Sequence, residues 1–258
     1  MRDAIQWVRS LVFVVTIYAA MLVYAIAFAP AAIASPDGAL RACHAWCRLV
    51  RRLARVLLGL ETEVRGEVPQ GEVLIASKHQ SFLDIILIFG SLPRPKFIMK
   101  REVLWTPVIG QYTKRMGMVA VDRGKRGKAI AKLVADVEAG RREPGQLVIY
   151  SQGTRVAPGA RVPYKVGTSV LYKQLGQTCV PAATNAGYFW PRRGLYRRPG
   201  VAVVEFLEPI PPGLVKEEFM SILEERVETA SDALLREAGW RAPAQDGGEM
   251  RPPRGEDA

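Results

Sequence analysis

The sequence predicts an α/β protein, a sheet covered by helices, carried behind N-terminal membrane-embedded helices. Three observations predict it. From Glu61 onward, short strand-like runs alternate with helical patterns, the sequence form of a sheet flanked by helices. Between Ser10 and Pro36 no residue is charged. With 258 residues and 49% hydrophobic side chains, the chain can bury one α/β core and a smaller appendage. The expected divisions are a membrane anchor and basic amphipathic helix over 1–60, the α/β domain over 61–240, and a tail over 241–258. That tail is too rich in Pro, Gly and charge to bury a core and reads as disordered.

The stretch LVFVVTIYAAMLVYAIAFA supplies the roughly 20 apolar positions that cross about 30 Å of hydrocarbon as a helix. Ala32-Ile33-Ala34 has the small-residue form of a signal-peptide cleavage site. The apolar stretch exceeds the roughly 7 to 15 residues of a signal core, however, and basic residues follow it, which favours an anchor. After a break from Pro30 to Gly38, Ala42, Trp46, Leu49, Leu53 and Val56 or Leu57 recur at helical spacing, with Arg41, Arg48, Arg51, Arg52 and Arg55 between them. This is the pattern of a basic amphipathic helix at a membrane surface, with the solvated face of an ordinary helix as the alternative. Those five arginines follow the span and only Arg2 and Arg9 precede it, which puts the domain on the cytoplasmic side. A helical pair dipping into one leaflet has the same composition.

The formal net charge of +11 is unevenly spread. Between Arg94 and Arg142 thirteen Lys or Arg face four acids, and Arg192, Arg193, Arg197 and Arg198 form a further cluster. From Val201 to the end, six basic residues face thirteen acidic ones. A basic front suits anionic lipid headgroups, phosphorylated substrates or nucleic acid. No nucleic-acid motif or aromatic stacking platform accompanies it, so nucleic acid is not an expected partner. The odd count of three cysteines, Cys43, Cys47 and Cys179, fits a reducing compartment. Cys43, His44 and Cys47 lack a second ligand pair and read as small side chains on a helix.

Strands are expected at Val73 to Lys78, Lys96 to Met99, Met118 to Val121, Gln146 to Tyr150, Cys179 to Thr184 and Gly200 to Leu207. Helices are expected at Phe82 to Phe89, Lys125 to Ala139, Gly167 to Leu175 and Leu214 to Ala238. His79 falls where the buried strand VLIASK meets the next helix, and α/β folds place chemistry at strand ends. In SKHQSFLDIILIFG, Ser81 is an N-cap with Asp84 three positions on, a capping-box spacing. On one continuous helix His79 and Asp84 would diverge by about 140°; a turn between them can bring them together. Asp84 would then hold one imidazole nitrogen while the other takes a proton from a hydroxyl. Read alone, the two residues are better explained as a helix-capping acid and a polar loop histidine.

KHQSFLD resembles the HX4D motif of the glycerolipid acyltransferases, close to the NHQSxxD form of the bacterial 1-acylglycerol-3-phosphate acyltransferases. Further blocks follow in that family's order. KFIMKREVLWTPVIG resembles the segment whose lysine, here Lys100, helps hold the acceptor phosphate. VAVDRG resembles the second motif, with Arg123, and YSQGTRVAPG resembles FPEGTR, with Gln152, Gly153, Thr154 and Arg155. CVPAATNAG resembles the last motif, around Val180 and Pro181. The likeness runs from about Val73 to Glu208.

The resemblance implies a mixed, mostly parallel sheet flanked by helices, and a bacterial-type inner membrane. It implies His79 and Asp84 as the catalytic pair, with Lys100, Arg123, Gln152, Gly153, Thr154 and Arg155 binding substrate. The reaction implied is transfer of an acyl chain from acyl-CoA or acyl carrier protein to the sn-2 hydroxyl of lysophosphatidic acid, without metal or bound cofactor. A lyso-ornithine lipid or lysophospholipid acceptor, a thioesterase and a non-enzymatic membrane-binding module are the alternatives. Gln152 stands where the family has Glu, keeping an acceptor oxygen without the charge, and Ser151 stands where it has Pro. Lys78 replaces the common Asn before His79, where it either acts on the base or points into solvent. Exposed backbone amides of Gly153 and Thr154 would add to an anion-binding concavity.

Overall fold

The computed structural model describes residues 2–121 and 145–242. The predicted helix from Lys125 to Ala139, Arg123 and the tail beyond Ala242 lie outside the described residues.

The chain opens with α1 (Arg2–Ala27), α2 (Ala29–Ala34) and α3 (Pro36–Leu53), and α3 runs into a π-helical turn over Ala54–Leu58. Ser35 starts α3 by accepting from Gly38 N, and Pro36 takes the first helical position, where its missing N–H costs nothing. α1 turns Gln6, Ser10, Phe13 and Ile17 inward, a spacing of four, three and four that keeps one face against the protein. Gln6 Nε2 donates to the carbonyls of Leu58 and Arg197 at 3.1 and 2.9 Å, and Phe13 meets Trp190 edge to face. Farther along, Tyr112 Oη donates to Ala25 O at 3.0 Å. The helix is therefore tied to the domain along most of its length. Its outer side exposes Val8, Val15, Leu22, Val23 and Ile26, and α1 alone among the described helices is long and apolar enough to cross a membrane.

α3 packs a face of mainly small residues against the protein. Ala39, Ala42, Cys47, Val50 and Ala54 are each 4% exposed or less, while Arg41, Arg48, Arg52 and Arg55 stand outside. Its small inward residues let α4 (Phe82–Ser91) come close, while of the stripe expected to face a membrane Ala42 is buried, Trp46, Leu49, Leu53 and Leu57 are half-buried and Val56 is exposed.

Seven strands form one sheet: β1 (Leu60–Arg65), β2 (Leu74–Ser77), β3 (Pro95–Lys100), β4 (Val119–Val121), β5 (Gln146–Tyr150), β6 (Cys179–Thr184) and β7 (Gly200–Phe206). Their order is β1-β7-β6-β2-β5-β3-β4. Every pair is parallel except β6 with β7, so the sheet is mixed and mostly parallel, as the resemblance implied. The sequence did not signal β1, because the edge strand LETEVR buries only its first residue and reads as a polar stretch. The remaining helices are α5 (Ile109–Arg115), α6 (Gly167–Leu175), α7 (Ala186–Phe189) and α8 (Lys216–Glu237).

Side-chain alternation divides the layers. Ile75 of β2 packs with Val148, Val180 and Val204 under α1, α3 and α4. Its neighbours Leu74 and Ala76 face the other way, packing with Leu147, Tyr172, Phe219, Leu223 and Val227 under α6 and α8. From central β2 the chain crosses to β3 on one side, and from β5 it crosses to β6 on the other. The carboxyl ends of β2 and β5 therefore border the crevice where connections diverge, the place such sheets bind ligands.

Candidate active site

β2 ends at Ser77, and two residues later His79 reaches the loop before α4. Ser81 caps that helix by accepting from Leu83 N at 3.0 Å, and it donates to Trp190 O at 2.6 Å. Asp84 closes the capping box by accepting from Ser81 N, at 2.7 Å. Reaching back over the turn, the same carboxylate also meets Gln80 N at 2.7 Å and His79 Nδ1 at 2.9 Å. The turn does what a continuous helix cannot.

Tyr150, the last residue of β5, completes the arrangement. Its hydroxyl donates to Asp84 Oδ1 at 3.1 Å, and its ring stacks on His79 with centroids 3.9 Å apart and 17° between planes. Burial first, and the adjacent Asp84 second, hold the phenol well above its usual 10, so it remains a donor. The fully buried carboxylate has about four lone-pair directions, and His79, Tyr150, Gln80 and Ser81 fill them. A carboxylate only accepts, so Nδ1 of a neutral His79 carries the proton and Nε2 offers a lone pair. Nε2 has no hydrogen-bond partner among the described residues.

Lys78 does not accompany His79. Neighbouring residues leaving β2 turn to opposite faces, and Lys78 passes to the α8 side, where it is wholly buried and its Nζ meets Glu228 Oε2 at 2.6 Å. It neither flanks the imidazole nor reaches solvent. Glu228 also accepts from Arg161 at 2.7 Å and Tyr164 at 3.0 Å. Gln152, two residues beyond Tyr150, goes to this same side: it is buried, with Nε2 at 3.4 Å from both Glu228 Oε1 and Val162 O. Its Oε1 has no partner among the described residues.

The other expected binding residues divide similarly. Val156 N donates to His79 O at 2.7 Å, which brings the segment carrying Thr154 and Arg155 against the histidine. Gly153 takes φ +69°, a conformation glycine adopts without strain, and its N–H closes a turn onto Tyr150 O at 2.9 Å. That amide is engaged in the turn, contrary to the expectation that it points at an anion. Lys100 ends β3, and extending the β3–β5 register by three residues sets it level with Ser151. Lys100 is exposed and Arg155 half-buried; neither has a carboxylate partner within 4 Å among the described residues. Arg123 follows β4 outside the described residues.

Sequence reasoning missed Tyr150 and Glu228. Tyr150 read as the end of an apolar strand; its phase with Val148 and Ile75 was the available signal that it shares the face of His79. Glu228 lies 150 residues from Lys78 and carried no local signal. Gly187, in α7, comes so near Gln80 that a Cβ would lie 2.7 Å from the Gln80 side chain, and its N–H bonds Gln80 Oε1 at 3.1 Å. This contact braces the residue beside His79.

A histidine held by a saturated carboxylate at the carboxyl edge of a mostly parallel sheet, with Lys100 and Arg155 lacking a carboxylate partner among the described residues, is equipped to activate a hydroxyl beside a phosphate. Residues 61–185 match the acyltransferase family model. Over 161 residues the chain is 30% identical to the 1-acyl-sn-glycerol-3-phosphate acyltransferase of Pseudomonas aeruginosa, a match spanning 62% of this chain and 63% of that protein. It is 28% identical over 195 residues to the bovine 1-acyl-sn-glycerol-3-phosphate acyltransferase alpha, covering 74% of this chain and 68% of the relative. The fold is that of the 1-acyl-sn-glycerophosphate acyltransferase PlsC from Thermotoga maritima, with a TM-score of 0.75 at 18% identity over 91% of this chain and 99% of that one.

Proposed function

We propose that the protein transfers an acyl chain from a thioester, acyl-CoA or acyl carrier protein, to the sn-2 hydroxyl of 1-acyl-glycerol-3-phosphate, yielding phosphatidic acid. The observation that carries this reading is the four-donor Asp84 carboxylate, which leaves His79 Nε2 as the free base. Nε2 takes the hydroxyl proton as the oxygen bonds to the thioester carbonyl carbon. The C–S bond then breaks, and the thiolate recovers the proton from the imidazolium that Asp84 has stabilised. Lys100 and Arg155 receive the acceptor phosphate, and the motif assigns Arg123 and Thr154 to the same task; guanidinium geometry suits phosphate oxygens. The relatives named for this reaction support the choice of acceptor. Gln152, turned to the α8 face, supports the loop rather than the substrate.

The protein works at a membrane, on the cytoplasmic face of a bacterial-type inner membrane. The tethering of α1 to the domain from Gln6 to Ala25 favours a helix lying in one leaflet, with its outer apolar side in lipid, over one leaving the domain to cross the bilayer.

The test is a purified-protein assay with acyl-CoA and acyl carrier protein donors against lysophosphatidate, lyso-ornithine lipid and lysophospholipids. Lysophosphatidate-dependent transfer that His79→Ala abolishes, with membrane association intact, is the expected result. Free fatty acid released at equal rate with and without any lysolipid would sink it.

A further inference from the structure

Two buried carboxylates gather donors at the carboxyl end of β2, one on each face of the sheet. Asp84 serves the proton transfer, and Glu228 of α8 has no part in it. Yet Glu228 is filled in the same way. Its Oε2 accepts from Lys78 Nζ at 2.6 Å and from Arg161 at 2.7 Å, and its Oε1 from Tyr164 Oη at 3.0 Å, with Gln152 Nε2 at 3.4 Å. Lys78 immediately precedes His79. The other three donors all lie on the segment between β5 and α6, the one that carries Thr154 and Arg155. Glu228 therefore joins the backbone bearing the base to the backbone bearing the phosphate contact.

That segment takes its shape from its contacts. Residues 153–165 contain no helix or strand. Val156 N on His79 O at 2.7 Å fixes the side next to the base, and Lys165 N on Ser151 O at 2.8 Å closes the foot of the loop. The far side rests on α8. Arg161 forks between Glu228 and Asp232, which stand four residues apart on one face of that helix, a division that the planar guanidinium suits and a lysine cannot copy. Two residues before Arg161, Gly159 takes φ +75° and lies so close to Trp240 that a Cβ would overlap the indole ring. Arg161 itself is exposed, so its ion pairs hold the loop without filling the core.

Resting on the acyl-transfer reading above, we infer that Arg161 is a positioning residue: clamped to Glu228 and Asp232, it sets Arg155 at the distance from His79 that the phosphate and hydroxyl of one lysolipid require. It acts through Arg155 and does not touch the base. Misplacing such a contact by about 1 Å can cost about a hundredfold, so a clamp on the outer face of α8 governs how well the site tells a phosphorylated acceptor from one without phosphate.

Arg161→Ala is the test, because Glu228 keeps Lys78 and no buried charge is left alone, so the fold persists. In full-length protein in detergent, hydrogen–deuterium exchange across residues 153–165 is expected to quicken about tenfold while β2 and β5 stay protected. In turnover assays the variant raises KM for lysophosphatidate about tenfold and leaves KM for the thioester unchanged. Its preference for lysophosphatidate over the same lipid without phosphate, 1-monoacylglycerol, falls by the same factor. Arg161→Lys, which keeps one of the two pairs, recovers part of the loss, and Arg236→Ala, at an exposed arginine farther along α8, changes nothing. Unchanged loop exchange in the folded variant overturns the clamp. Rates with lysophosphatidate and monoacylglycerol falling in proportion overturn the positioning role, since that is general damage. Exchange is read without turnover: a wild-type protein that transfers no acyl group refutes the acyl-transfer reading itself, and the exchange result still decides whether Arg161 holds the loop.

Discussion

Replacing Glu228 by Gln keeps the size of the side chain and removes its charge. Lys78, 0% exposed, then has no counter-ion within a closed layer between sheet and α8. Breaking a buried pair from one side costs about 3–5 kcal/mol. Lys78→Met is the milder change. Glu228 keeps Arg161 at 2.7 Å and Tyr164 at 3.0 Å, and the half-exposed Arg161 can adjust to serve the carboxylate alone. A loss of about 1–2 kcal/mol is expected, within the ordinary range of single substitutions. At about 2–4 °C per kcal/mol for a domain of this size, melting falls by about 6–20 °C for Glu228→Gln and about 2–8 °C for Lys78→Met. Thermal unfolding of purified protein in detergent, followed by tryptophan fluorescence, measures both. The double variant Lys78→Met/Glu228→Leu leaves no buried charge and should melt above Glu228→Gln, short of wild type because the Tyr164 hydroxyl loses its acceptor. Equal melting of the two single variants, or a loss under about 1 kcal/mol in Glu228→Gln, refutes the reasoning.

Asp84→Asn removes the charge that stabilises the imidazolium and should lower kcat by about 10²-fold or more, with circular dichroism unchanged. Tyr150→Phe keeps the stacked ring but takes away one of the four donors to Asp84; kcat/KM should fall about tenfold with KM little changed, and wild-type rates would falsify the hydroxyl's role. Ser81→Ala loses the cap of α4 and the bond to Trp190 O, and should cost about 1–2 kcal/mol in a urea titration. Burial pushes the thiols of Cys43 and Cys179 up to about 12. The folded state therefore keeps protons that the unfolded chain releases near its ordinary value of 9, so stability should fall as pH rises from about 9 towards 12; urea midpoints across that range check it, and native thiols should resist alkylation at pH 8 until the protein is unfolded.

The cap of α4 was legible because capping is local: Ser81, Asp84 and the apolar run after them lie within one turn. The central strands were legible to within a residue because they are continuously apolar. β1 was not, since an edge strand with one buried residue has no hydropathy signature. α3 was legible as a helix, but its inward face was not, since Ala39, Cys47 and Ala54 are too small to stand out beside Trp46, Leu49 and Leu53. The role of Lys78 was read by adjacency in sequence, where the sheet imposes alternation, and that of Gln152 from its place in the motif, where the turn after β5 carries it to the α8 side.

That alternation explains how one strand end serves two purposes. Ile75, Val148 and Tyr150 share the face on which His79 and Asp84 meet, and Leu74, Leu147 and Lys78 share the other. A lysine directly beside the base is separated from it by the thickness of the backbone layer, and its charge is matched by Glu228 before it can act on the imidazole. A neutral glutamine then fits where the related motif has a carboxylate: Gln152 stands 3.4 Å from Glu228, and an acid there would press a second negative charge on the carboxylate that Lys78 requires. Gln152→Glu is accordingly expected to destabilise the fold, and the added acid should be tolerated better in the Glu228→Gln background, where it becomes the counter-ion of Lys78. A double-mutant cycle on unfolding free energy measures this coupling. Additive losses would mean that Gln152 and Glu228 do not sense one another, and the charge-matching account of this departure from the motif would fail.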